Sequence, residues 1–258
     1  MEVSALASSS SGNCFYVGNK KSGLLVDAGI SCKRIAESLD KIGKKPDQIK
    51  GILITHEHSD HIRGVDVFSR QFDIPIFVNE KTFNDRFLCS NSSAINFFNS
   101  NEILNLAGFE ITPFIKSHKA AEPVFFSLRE KSSKKIVSII TDAGHCCKNI
   151  HMEMNESNFM FLESNHDVKL LDEGPYPWPV KKWIKSDIGH LSNNQASMGI
   201  LEHATPKLKT IVLSHLSQTN NSPDLAVRTF KKLLKERKDL SPSIELSFKD
   251  RPTELFKI

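Results

Sequence analysis

The chain has 258 residues, 39% of them hydrophobic and 25% charged, with a formal net charge of +4 and a pI near 8.7. These are the proportions of a globular protein that buries a substantial core, and no apolar run approaches the roughly 20 residues of a membrane span. The mild basic excess permits a polyanionic ligand without requiring one.

Met1-Glu2-Val3-Ser4 lacks the basic stretch and apolar core of an export signal. The five cysteines, Cys14, Cys32, Cys89, Cys146 and Cys147, are odd in number and show no ligand-like spacing. Both features point to reduced thiols and a cytoplasmic protein. Cys146-Cys147 follows a candidate ligand closely enough for a metal or redox role to be considered.

Glu2 to Ala7 alternates and reads as a strand. Ser8-Ser9-Ser10-Ser11-Gly12-Asn13 is a turn-forming cluster, and Cys14 to Val17 resumes as a strand. That turn has two readings: a flexible linker, or a structured hairpin whose hydroxyl and N–H groups, Ser11 and Asn13 among them, face an anion. Gly23 to Gly29 is a third strand ending in Asp27, and the apolar spacing of Ile35, Leu39 and Ile42 predicts a helix stopped at Gly43. Ile52 to Thr55 is a buried strand. Residues 62–73 read as helix, Pro75 to Val78 as strand, Glu80 to Leu88 as helix and Ser90 to Ser100 as loop. Strands follow at Glu110–Ile115, Val124–Arg129 and Ile136–Thr141, then a helix after Cys147 and a strand at Phe159–Leu162. The prolines of Gly174-Pro175-Tyr176-Pro177-Trp178-Pro179 exclude helix and inner strand there, with a short helix expected at Val180–Lys185. Ser192 caps a helix to His203, Leu208–Leu213 is a strand, and Pro223–Lys238, opened by Ser222 as cap, is the clearest amphipathic helix. Ile244–Phe248 is the last expected strand. Strands with interspersed helices in both halves predict an α/β protein of two sheets packed face to face with helices outside, as a single domain over residues 1–258.

The chemistry concentrates after the strand Ile52–Thr55. His56, His58, Asp60 and His61 fall within six positions, in a chain with only 10 histidines. At the end of an extended strand, residues two apart project to one side, and Asp60 and His61 follow where the chain can curl. Imidazole and carboxylate donors clustered in this way suit Zn²⁺ or a similar divalent ion, and four of them fit more than one ion. Three further ligand-type residues repeat one grammar, an apolar strand followed by the ligand. His118 follows Glu110–Ile115, Asp142 follows Ile136–Thr141, and His215 follows Ile211–Ser214.

Thr55-His56-Glu57-His58-Ser59-Asp60-His61, with Asp27 before it and His118, Asp142 and His215 after it, resembles the metallo-β-lactamase superfamily. Ser8 to Cys14, Leu162-Glu163-Ser164-Asn165-His166-Asp167, Gly189-His190-Leu191-Ser192-Asn193, Gly174-Pro175-Tyr176-Pro177 and Ser214-His215-Leu216-Ser217 are similar to its bacterial YycJ/WalJ branch. The resemblance implies a four-layer αββα sandwich and a binuclear Zn²⁺ or Mn²⁺ site. His56, His58 and His118 would hold one ion, Asp60, His61 and His215 the other, with Asp142 between them and Asp27 in support. It implies a metal-dependent phosphodiesterase, a 5′-to-3′ exonuclease on double-stranded DNA. Two ions that share a water lower its pKa and supply hydroxide as nucleophile. Asp60 orients that nucleophile, His190 grips a phosphate or protonates the leaving oxygen, and Glu163, at another strand end, tunes His215 or Asp142. His166 is a further supporting residue. The branch usually carries an acid after the third ligand histidine, where this chain has Lys119, a residue able to contact phosphate.

Other readings stay open at this point. One is a hydrolase of a small ester, thioester, lactam or cyclic phosphodiester, and another is a non-catalytic metal-binding or regulatory module. DNA is favoured over RNA as partner, no membrane is expected, and the sequence leaves the oligomeric state open.

Overall fold

The computed structural model describes residues 1–258. In chain order its elements begin with β1 (Glu2–Ala7), β2 (Cys14–Gly18), β3 (Gly23–Val26), α1 (Cys32–Lys41), β4 (Ile49–Leu53), α2 (Ser59–Ile62), α3 (Val65–Phe72), β5 (Ile76–Val78), α4 (Glu80–Asp85) and β6 (Ile95–Phe97). They continue with β7 (Leu104–Leu106), β8 (Phe109–Ile115), β9 (Val124–Glu130), β10 (Ile136–Ile140), α5 (Lys148–Glu156), β11 (Phe159–Glu163), α6 (Val168–Glu173) and α7 (Trp178–Ile184). The last are α8 (Asn193–His203), β12 (Thr210–Ser214), α9 (Pro223–Leu234), β13 (Ser243–Leu246) and β14 (Phe256–Lys257). The strands fall into two seven-stranded sheets, both mixed. No helix is long and apolar enough to cross a membrane.

The chain divides into two compact units, one of residues 1–115, 120–135 and 248–258, the other of 116–119 and 136–247. In the first unit one sheet runs in the order β14-β1-β2-β3-β4-β5-β6. β1 and β2 pair antiparallel with a register shift between Ala5 and Ala7, whereas β3 to β6 run parallel. Helix α1 forms because Ser31 caps it and because Ile35 and Leu39 share a face. Gly43, at φ 71°, ends it, as the residue that adopts a left-handed turn without a Cβ clash. Those two side chains, with Val65 and Phe68 of α3, pack on Leu6, Leu25, Ile52 and Ile76 of the sheet. The antiparallel run β7–β8–β9 completes this unit.

In the second unit β10, β11, β12 and β13 are parallel. Their sequences are near-continuous apolar runs, and every residue of β11 is buried, as expected of parallel strands covered on both faces. Ile150 and Met154 of α5, Ala196 and Ile200 of α8, and Ala226, Phe230 and Leu234 of α9 are buried. The register aligns Ile140, Leu162, Leu213 and Leu246 across the sheet. Whatever follows these residues therefore emerges along one edge, the carboxyl end, where ligands collect in parallel sheets.

Several elements differ from the sequence reading. The expected loop Ser90–Ser100 contains β6, a three-residue strand that pairs with β5; its residues are exposed or half-buried, so no apolar pattern marks it. The proline-rich stretch does enter a helix: α7 starts at Trp178 with Pro179 in its first turn, where the missing N–H has no helical partner to lose. The short α6 and β7 and the two-residue β14 carry too little periodicity to be read. Removing the buried ring of α9 in Phe230→Ala should cost about 3–5 kcal/mol, read as a lower urea midpoint with an unchanged slope.

Candidate metal centre

In the first unit the site is built where β3 and β4 end. Asp27 follows β3 at φ 58°, in the left-handed region that few residues with a Cβ adopt. Its N–H donates to Leu53 O at 2.8 Å, which ties it to the end of β4. Its carboxylate then accepts from Thr55 N at 2.9 Å and Thr55 Oγ1 at 2.8 Å, and lies 2.6 Å from His61 Nδ1. An Nδ1 proton engaged by Asp27 leaves Nε2 as the edge of His61 that can offer a lone pair. Thr55 Oγ1 also lies 2.9 Å from His56 Nδ1, so one hydroxyl links Asp27 to two imidazoles.

His58 caps α2, whose first turn carries Asp60 and His61. The ring of His56 lies 4.5 Å from that of His58 and 4.1 Å from that of His61, centre to centre. The serine-rich turn joins this group through Asn13, which is fully buried. Asn13 Nδ2 donates to Ser9 O at 3.0 Å and lies 3.4 Å from Asp60 Oδ2 and 3.2 Å from His61 Nε2. Asn13 N–H bonds Asp60 O at 2.8 Å, and a Cβ on Gly29 would fall 1.6 Å from that same carbonyl. Position 29 must therefore be glycine for the two loops to approach. Ser11 is exposed, with its N–H on Ser9 Oγ at 3.1 Å, and is not bonded to the histidines.

In the second unit the carboxyl edge of the parallel sheet carries the donors. Asp142, at φ 54°, follows β10, and His215, at φ 55°, follows β12. Asp142 Oδ1 lies 3.4 Å from His215 Nε2 and 3.8 Å from both His118 Nε2 and His190 Nδ1. His118 is held by its Nδ1, 3.0 Å from Gly189 O. Burial, against the nearby Asp142, pushes its pKa down to about 3, so its imidazole is neutral with a lone pair to offer a cation. Glu163, fully buried at the end of β11, accepts from Ala143 N at 2.8 Å and Leu191 N at 3.2 Å and lies 2.8 Å from His190 Nδ1. Burial alone would raise its pKa, but the charge and hydrogen bond of His190 outweigh that and the net direction is down. The rings of His190 and His215 stack 5.3 Å apart at 14°. One ligand atom from each of Asp142, Glu163, His190 and His215 lies within 4.8 Å of the others.

Lys119 is exposed and contributes only a backbone bond to Ile188 O, at 3.1 Å. His166 is buried, its pKa lowered by burial to about 4, and its Nδ1 has no hydrogen-bond partner. Burial pushes the Cys146 thiol up to about 12, and none of the five cysteines forms a disulfide. One residue the sequence reading passed over is Trp183 of α7. Its ring lies 5.4 Å from His190 and 6.4 Å from His118, and its indole N–H is buried without an acceptor. The chain's having only two tryptophans, one of them on the helix just before His190, was the available signal.

The family described as Metallo-beta-lactamase superfamily matches residues 9–88. The chain is 37% identical over 240 residues, 92% of this chain and 90% of the relative, to the exodeoxyribonuclease YycJ of Bacillus anthracis. It is 39% identical over 233 residues, 88% and 86% of the two chains, to the exodeoxyribonuclease WalJ of Streptococcus pneumoniae. Among solved structures, the metallo-beta-lactamase fold protein YhfI from Bacillus subtilis superposes with a TM-score of 0.74 at 13% identity, covering 98% of this chain and 99% of that one. That likeness identifies the fold as the same α/β sandwich.

Asp27→Ala should leave the Thr55 N–H and the His61 ring buried without their acceptor, at about 1–3 kcal/mol for each stranded group. Thermal unfolding in the absence of added metal measures the loss.

Proposed function

This chain belongs to the metallo-β-lactamase superfamily, in the family of the YycJ and WalJ exodeoxyribonucleases, and on that premise we propose that it is a cytoplasmic 5′-to-3′ exonuclease on double-stranded DNA. It is a metal-dependent hydrolase of phosphodiester bonds. The observation that supports the metal chemistry of this reading is the convergence of His118, His190 and His215 on Asp142 Oδ1 at the edge of one parallel sheet; the DNA substrate is proposed from the relatives. Buried polar donors with neutral imidazoles, such as His118, are the environment a divalent cation requires.

In this reading residues 1–258 act as one catalytic domain. His56, His58 and His118 would hold one Zn²⁺ or Mn²⁺ and Asp60, His61 and His215 a second, with Asp142 available to both. Two such ions, when bound, lower the pKa of water and neutralise the charge that builds on the phosphate oxygens. The chain's own groups do the rest. Asp27 and Gly189 O engage the Nδ1 atoms of His61 and His118, which turns the opposite ring edges to the site. Asp60 orients the attacking water. Glu163 is a positioning residue, since its carboxylate is taken up by Ala143, Leu191 and His190. The carboxylate holds His190 oriented through Nδ1, placed to grip a phosphate oxygen or to protonate the leaving oxygen. All five cysteines are thiols, which supports the cytoplasmic assignment.

Asp142→Ala should lose bound metal, measured by elemental analysis of the purified protein, together with hydrolysis of 5′-phosphorylated duplex DNA. Cleavage at the wild-type rate would overturn the ligand assignment. His190→Ala should keep its metal and lose about 10²-fold in rate, within the range of a general acid. Loss of metal in that variant would make His190 a ligand instead.

A further inference from the structure

Helix α7 presents two faces with different chemistry. Trp183 is turned to His190 and His118, and Ile184 is buried. The opposite face carries Trp178, 70% exposed, with Lys182 Nζ 5.3 Å above its ring. Beside it lies a depression of about 500 Å³ lined by Asp172, Trp178, Lys181, Lys182, Lys185 and Ser186. Lys181 Nζ donates to Asp172 O at 2.7 Å, and Lys185 Nζ to Asp172 Oδ1 at 2.5 Å. The lining thus carries three ammonium groups and one carboxylate, of which only Lys185 pairs with the carboxylate, and the depression is cationic. An indole 70% exposed forgoes apolar burial, and the ring contact it makes within the chain is with the Lys182 ammonium.

We propose that this depression is a subsite for a single-stranded segment of the nucleic-acid substrate, with one base stacked on Trp178 and the flanking phosphates on Lys182 and Lys185. The proposal rests on the nuclease reading above and adds to it where an unpaired strand is held. An aromatic platform beside a cationic groove is the combination by which proteins hold single strands, because every base offers a π-face and every linkage a negative charge. An acidic peptide would use the lysines but not the bare indole face.

The helix is also fastened to the candidate site. His190 N–H bonds Ile184 O at 3.0 Å and Gly189 N–H bonds Ser186 O at 2.9 Å. Ser117 Oγ bonds Asp187 O at 2.7 Å, and His118 Nδ1 lies 3.0 Å from Gly189 O. A strand held on the outer face of α7 is therefore held by the element that also sets the positions of His118 and His190. That coupling gives the subsite its use, since it fixes the register of the chain being degraded.

The test uses the metal-loaded protein and a fluorescein-labelled phosphorothioate oligothymidine, which keeps its charge and resists cleavage, with affinity read by anisotropy. Trp178→Ala should weaken binding about tenfold, and Trp178→Phe should restore most of it. Lys182→Ala and Lys185→Ala should each weaken binding and flatten its dependence on salt. Lys235→Ala, in a second basic patch on the far end of α9, should bind as wild type. Equal affinity of Trp178→Ala and wild type would overturn the subsite alone and leave the nuclease reading standing. Equal losses for the single strand and for a blunt duplex would assign the surface to duplex backbone and overturn it as well. A wild-type protein that neither binds the oligonucleotide nor cleaves any DNA would overturn both readings.

Discussion

Three of the site residues that follow strands turn the backbone left-handed despite their Cβ: Asp27, Asp142 and His215. Each turn costs on the order of 1–3 kcal/mol and persists only where its surroundings over-determine it. Around Asp27 the surroundings are the Leu53 carbonyl, both polar groups of Thr55 and the ring of His61. Beside Asp142, Ala143 N–H is held by Glu163 and Gly144 N–H by Ser117 O. At His215 the carbonyl accepts from Asn165 and the preceding Ser214 O from Ser164. The same bonds that hold the backbone in these turns also fix which way each candidate ligand faces. Structural support and chemical function are therefore carried by one set of contacts, and a change to a supporting residue is felt as a change in the site.

The surroundings of neighbouring imidazoles follow from the same arrangement. His118 and His190 lie 5.2 Å apart between ring centres. His118 faces a backbone carbonyl, and burial lowers its pKa. His190 faces the carboxylate of Glu163, 2.8 Å from its Nδ1. Two rings of identical chemistry thus meet different partners at Nδ1. Neither partner is apparent from sequence spacing, since Gly189 and Glu163 reach these rings only through the fold.

How much was legible follows from what each segment depends on. The packet His56–His61 and the strand-then-ligand grammar of His118, Asp142 and His215 are local, and the chain carries them openly. The alternation and apolar runs of the longer strands and the caps at Ser192 and Ser222 are local too, and the helices they open begin where the pattern predicts. What could not be read is set by distant contacts. β6 exists because β5 offers it an edge, not because its own residues favour a strand. The left-handed turns are invisible because aspartate and histidine adopt them only when held. Trp183 owes its place to α7 starting inside a proline-rich stretch that a breaker rule excludes as helix.

The short strand β14 has a consequence for synthesis on the ribosome. It pairs with β1, so Lys257 lies opposite Glu2 and Phe256 opposite Val3, and Thr253 Oγ1 accepts from Ala5 N and touches Ser4 Oγ. The edge of the first sheet is thus closed by residues made after the entire second unit has been translated. During that interval β1 presents unpaired backbone donors and acceptors, the feature that templates wrong strand pairing in nascent chains. β1 waits for β14, and the time spent waiting scales with the length of everything between them.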